Sequence, residues 1–167
     1  MPRGRYSPSR QAGVTYLWML FLVFLLGLGL GKAVEIQSLV SQRAKEADLL
    51  YIGTAYRDAI ESYYLSALDG NRRYPASLDV LLKDPRYPAT KRHLRKLYLD
   101  PITRTPFALV YSPEGGISGV RSTSEKTPIK QAGFASDDQG FQGAKKYQDW
   151  QFVYVGAAPV IVNGMRL

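Results

Sequence analysis

Three aspartates, Asp137, Asp138 and Asp149, are the side chains best suited to holding an ion. Carboxylates combined with backbone carbonyls form the oxygen-only shell that calcium takes. Calcium is therefore the one cofactor these residues suggest, weighed against the commoner outcome of solvated loop carboxylates. His93 is the only histidine, and basic residues without any catalytic motif surround it. A surface imidazole is expected there rather than a base. Ser122, Thr123 and Ser124 have no linked base and read as a strand end rich in hydroxyls. Lys91-Arg92-His93-Leu94-Arg95-Lys96 followed by Tyr98 could touch nucleic acid or acidic lipid phosphates. An exposed helix face is favoured for this stretch, and no nucleic acid partner is expected. The absence of cysteine excludes disulfides, thiolate nucleophiles and thiolate-bound zinc. No phosphate loop of the GxxxxGK[ST] kind occurs. With no catalytic constellation, a structural role is expected rather than an enzyme.

The elements that must carry these residues begin with a membrane segment. From Ala12 to Gly31 the chain runs twenty residues without a charge, about 30 Å as a helix and enough for a bilayer's hydrocarbon core. Arg3, Arg5 and Arg10 precede it, whereas Lys32, Glu35, Arg43, Lys45, Glu46 and Asp48 follow with mixed sign. Positive charge resists translocation, so the N-terminus should stay cytoplasmic and the remainder should cross. A secretory signal peptide cut near Gly29 or Gly31 is the alternative. Gly27 and Gly31 form a GxxxG spacing that allows close helix–helix approach, or else weaken the helix locally.

No proline occurs between Pro8 and Pro75, and Leu49, Ile52, Tyr56, Ile60, Tyr63 and Ala67 step at helical spacing. One helix is predicted from about Val14 to Leu68, apolar all round in its first half and amphipathic in its second. Lys45–Asp48 and Arg57–Glu61 can pair along it, and Asp69-Gly70-Asn71 supplies the stop. Beyond it, Ser77 is placed to cap a short helix through Leu82, and the 91–98 stretch to form another turn or two. Phe107–Tyr111 and Ile117–Ser122 read as a hairpin, Trp150–Val155 as a third strand, and the interval from Ser124 to Tyr147 as loop. Three short strands cannot bury both faces alone, so one face must pack on the stripe at Leu49–Tyr63. The expected fold is α+β: a long N-terminal helix against a small antiparallel sheet of about three strands.

The stretch Arg10-Gln11-Ala12-Gly13-Val14-Thr15-Tyr16-Leu17 resembles the type IV prepilin class, with its basic leader ending in glycine, its apolar helix and its Thr at the second mature position. Tyr74-Pro75-Ala76-Ser77-Leu78, Asp100-Pro101-Ile102-Thr103, and Gly119-Val120-Arg121-Ser122 through to Pro128-Ile129-Lys130 are similar to the pseudopilins of type II secretion. The resemblance implies cleavage between Gly13 and Val14 by a prepilin peptidase, N-methylation of Val14, and a periplasmic head. It divides the chain into a leader (1–13), a transmembrane half-helix (14–31), an amphipathic stalk (32–68) and a head (69–167) packing on 44–68. It also implies other pilin-like subunits and an inner-membrane assembly platform as partners, with a filament entering the periplasm. The chain departs from the class pattern at Val14, where Phe or Met is usual, and at Trp18, where the class carries a Glu that meets a neighbour's terminal amine. Arg104 stands where a turn glycine is common.

The leading expectation is a structural subunit of a secretion pseudopilus or related pilus, anchored in the inner membrane and assembled through Trp18, Gly27 and Gly31. The alternative is a single-pass, membrane-anchored periplasmic binding protein that never enters a filament. Processing after Gly13 separates the two.

Overall fold

The computed structural model describes residues 12–68 and 70–156, without the side chains of 12, 13 and 27–36. The chain divides into two units, Met1–Ser41 and Gln42–Leu167. One helix, α1 (Ala12–Leu65), contributes to both. In the first unit the apolar side chains from Val14 to Leu26 lie exposed around the helix, Trp18 at 66% and Leu25 at 49%. Trp18 meets only its helical neighbour Phe21, edge to face at 6.2 Å, among the ring contacts described. Among the described residues no helix is long and apolar enough to cross a membrane. The span expected over 14–31 takes in 27–31, whose side chains lie outside the description.

The second unit is α+β. Three antiparallel strands, β1 (Ala108–Tyr111), β2 (Ile117–Arg121) and β3 (Gln151–Val153), lie in the order β1-β2-β3. Val120 is the register centre, opposite Leu109 on one side and Phe152 on the other. The sheet closes on the predicted helical stripe: Leu49, Tyr56, Ile60 and Tyr63 of α1 share a core with Ile117, Val120 and Phe152. Burial of that stripe stabilises the helix where its own propensity does not, since each large apolar side chain contributes roughly 1.5–3 kcal/mol.

The polar interval before β3 also adds to the core. Short 3₁₀ turns over Ser136–Phe141 and Tyr147–Asp149 deliver Phe141 and Tyr147 inward. There Trp150, fully buried, stacks on Phe141 at 5.6 Å and meets Tyr147 edge to face.

Three local expectations change. The helix stops at Leu65 rather than Leu68; Gly70 has the positive φ of 70° expected of a stop, while Asp69 lies outside the described residues. Ser77 sits at the N-cap of a 3₁₀ turn (Leu78–Leu81) but makes no side-chain cap bond. The 91–98 stretch forms no helix. Its amides are taken elsewhere: His93 and Leu94 N–H both donate to the Leu81 carbonyl at 2.8 and 2.9 Å, and Tyr98 N–H donates to Tyr56 Oη. An extended segment that puts Leu94 in the core wins over local helix preference.

Candidate functional site

Along α1, polar side chains from Gln42 to Ser62 reach into the loops of the head and tie them down. Glu46, 3% exposed, is the first. Its carboxylate accepts from the N–H groups of Ile129 and Lys130 and from the Tyr147 hydroxyl, the last at 2.8 Å. Gln42 Nε2 donates to the same hydroxyl at 2.8 Å. Burial pushes the Tyr147 phenol up to about 12, with the Glu46 carboxylate adding to the rise and the Gln42 bond opposing it. Beside Glu46 lies a groove of about 340 Å³ walled by Ala47, Leu50 and Ile129, with Arg43 and Lys130 at its rim.

About three helical turns along, Arg57 Nη1 pairs with Asp138 Oδ1 at 2.7 Å. Arg57, expected to meet Glu61 on its own helix, thus reaches across to the Ser136–Phe141 turn. Asp137 stays exposed, with an oxygen 4.0 Å from Arg57. Asp149 Oδ2 instead accepts from the Lys146 N–H at 3.0 Å, capping its own turn. Asp138 and Asp149 are thus taken up by Arg57 and by the Tyr147–Asp149 turn, while Asp137 stays exposed beside Arg57. Among the described residues no group of three or more His, Asp or Glu could hold a metal ion.

The third tie lies near the end of α1 and corrects the expectation for His93. Its side chain is 1% exposed, against the ring of Tyr63. Nδ1 lies 2.8 Å from Ser62 Oγ, and Nε2 lies 3.2 Å from Asp84 Oδ2. Asp84 is itself covered, and Arg86 grips it through Nε and Nη2 at 2.7–3.1 Å. Burial alone would raise the Asp84 pKa; the hydrogen bonds from Arg86 and His93 and the guanidinium charge outweigh it and bring it to about 2. Burial lowers the His93 pKa, Asp84 opposes, and the charges of Lys91 and Arg86 add to the lowering. Lys91 is engaged as well, with Nζ 2.9 Å from Ser66 Oγ and over the Tyr87 ring.

The hydroxyl-rich strand end also has a structural task. Ser122 Oγ donates at 2.6 Å to Asp100, a fully buried carboxylate that also accepts from Ile102 N–H and Thr103 Oγ1. This is the Asp-Pro-x-Thr stretch, and it closes through Arg104 at φ 60°. Thr123 remains exposed and Ser124 is buried.

Of the positions expected to serve processing and assembly, Gly13, Val14, Trp18, Gly27 and Gly31 all lie within α1. Val14 and Trp18 are exposed; residues 1–11 of the leader lie outside the described residues. Sequence reasoning missed Ser62, Glu46, Asp84 and Arg57. The available signal was an acid or base among apolar helical neighbours, as at Glu46 three residues before Leu49. No protein-family model, no characterised protein and no solved structure matches the chain.

Proposed function

We propose that the chain is a pilin-like structural subunit of a type II secretion pseudopilus or a related filament. The observation that carries this reading is the division of labour along α1: one uninterrupted helix, Ala12–Leu65, has exposed apolar side chains from Val14 to Leu26 and core side chains from Leu49 to Tyr63. An apolar surface open on every face is stable only against lipid or other apolar helices. In this reading the 14–31 segment occupies the inner membrane, the N-terminus is cytoplasmic, and the head stands in the periplasm. The ties from Gln42, Glu46, Arg57 and Ser62 fix the head on the helix, so that force on one reaches the other. Trp18 carries no charge into the bilayer, unlike the Glu of the class. The Val14 amine of a like neighbour would then lack a carboxylate, which favours stacking among unlike subunits.

The test is intact-mass analysis of the full chain recovered from membranes of cells with an active prepilin peptidase. A mature chain beginning at methylated Val14, resistant to alkaline extraction, is expected. A chain that retains Met1–Gly13 overturns the reading.

A further inference from the structure

We propose that Ser62 is a nucleophilic serine, served by His93 as its base and Asp84 as the positioning carboxylate, able to accept the acyl group of an activated ester. Ser62 Oγ is 2.8 Å from His93 Nδ1, and His93 Nε2 is 3.2 Å from Asp84 Oδ2. A nucleophile within hydrogen-bond reach of a base that a third group orients is the arrangement serine-dependent acyl transfer needs. Nothing in the proposed filament role requires it.

The direction of each hydrogen bond follows from charge. Arg86 holds Asp84 ionised, and an ionised carboxylate only accepts. The ring proton of His93 therefore sits on Nε2 and is given to Asp84. Nδ1 keeps a bare lone pair, so the Ser62 hydroxyl must donate to it. Burial against Tyr63, with the side chain 1% exposed, disfavours the charged form of the ring and packs it in place. Ser62 itself lies on the exposed side of α1, so the oxygen is open to a reagent while the base behind it is covered. The ring is turned relative to the common serine-protease arrangement, with Nδ1 rather than Nε2 toward the serine.

In the step itself the Ser62 oxygen attacks the ester carbonyl carbon, forming a new C–O bond as its proton passes to His93 Nδ1. The ester C–O bond then breaks, and the proton on Nδ1 goes to the departing alkoxide. The products are acyl-Ser62 and an alcohol, with no change of oxidation state. The substrate class assigned is small activated esters, whose reactivity needs no deep pocket around Ser62.

The experiment uses the full chain in detergent, treated with a fluorophosphonate and with a p-nitrophenyl ester, and adducts are located by peptide mass spectrometry. Ser66, just past the end of α1 and with no histidine among its partners, is the internal reference. Labelling of Ser62 at roughly 100-fold or more the rate at Ser66 is expected. The rate should rise with pH as the ring loses its proton, and it should vanish in Ser62→Ala. His93→Gln should lower it at least tenfold. Because that variant removes a buried tie, the comparison of Ser62 with Ser66 in the unaltered chain decides: equal labelling overturns the proposal.

Discussion

The ring of Phe152 in β3 occupies the space that a side chain on Gly53 of α1 would need. Sheet and helix touch there backbone to ring, and only glycine permits it. Gly53→Ala brings two opposed effects. Helix propensity gains about 1 kcal/mol, while an extra methyl in a packed core costs about 1–3 kcal/mol. The clash is with a fully buried ring, which puts the packing cost toward its upper end, so net destabilisation of up to about 2 kcal/mol is expected. Adding Phe152→Leu should recover part of it, giving a favourable coupling energy in a double-mutant cycle. Urea unfolding followed by Trp150 fluorescence checks this; additive losses would mean that the two residues do not share the space.

Arg104 is a non-glycine residue with φ 60°, at a turn where the Arg104 N–H donates to the Asp100 carbonyl at 2.7 Å. The left-handed conformation costs an L-residue roughly 1–2 kcal/mol. Its side chain is exposed and makes no ion pair among the described residues. Arg104→Gly removes the strain, while glycine's extra unfolded-state entropy takes back roughly half to all of 1 kcal/mol. A net gain of up to about 1 kcal/mol is expected, and Arg104→Val should lose stability. Thermal unfolding of the two variants against the unaltered chain measures both.

The long helix, the hairpin and the third strand were legible because each rests on a periodicity or a turn signal that neighbours cannot easily override. Leu49, Tyr56, Ile60 and Tyr63 are the core face their spacing predicts. The 91–98 stretch was not legible, because the competitor for its amides was the Leu81 carbonyl, ten or more residues earlier. His93 was misplaced for the same reason. Its basic neighbours suggested a wet surface, and the groups that cover it, Ser62 and Tyr63 of α1, are about thirty residues away in sequence and meet it only in the folded chain. Burial of Glu46 likewise depends on amides of residues 129 and 130, which no local pattern connects to α1.

Acidification should loosen the end of α1 in two stages. His93 has a lowered pKa in the fold, so the unfolded chain binds the proton more readily. Its contribution is complete above pH 6.5, the ordinary value, and is lost as pH falls below it. Asp84 moves from 3.8 to about 2. Its contribution, about 2 kcal/mol by linkage, is complete above pH 4 and is lost as pH falls toward 2. Asp84→Asn should cost stability at pH 7 and flatten the lower stage. Urea midpoints across pH 2–8 report this, and an unchanged slope between pH 4 and 2 in the variant would count against it.

At the other end of the seam the prediction concerns alkali. Tyr147 gives its proton to a hydrogen bond with Glu46, and its pKa rises from 10.0 to about 12 mainly through burial. The fold thus holds that proton more tightly than the unfolded chain does. Stability from this group is complete below pH 10 and is lost as pH climbs toward 12. Tyr147→Phe keeps the ring in the core but gives up the hydroxyl, costing about 1 kcal/mol at neutral pH and removing this alkaline loss. Glu46→Ala is more severe: it strands the N–H groups of Ile129 and Lys130 beneath the loop, at a cost of about 3 kcal/mol. Glu46→Gln retains an acceptor and should fall between the two. If Glu46→Ala costs no more than Tyr147→Phe, the loop amides find other partners, and the carboxylate does not hold the 127–130 segment on the helix.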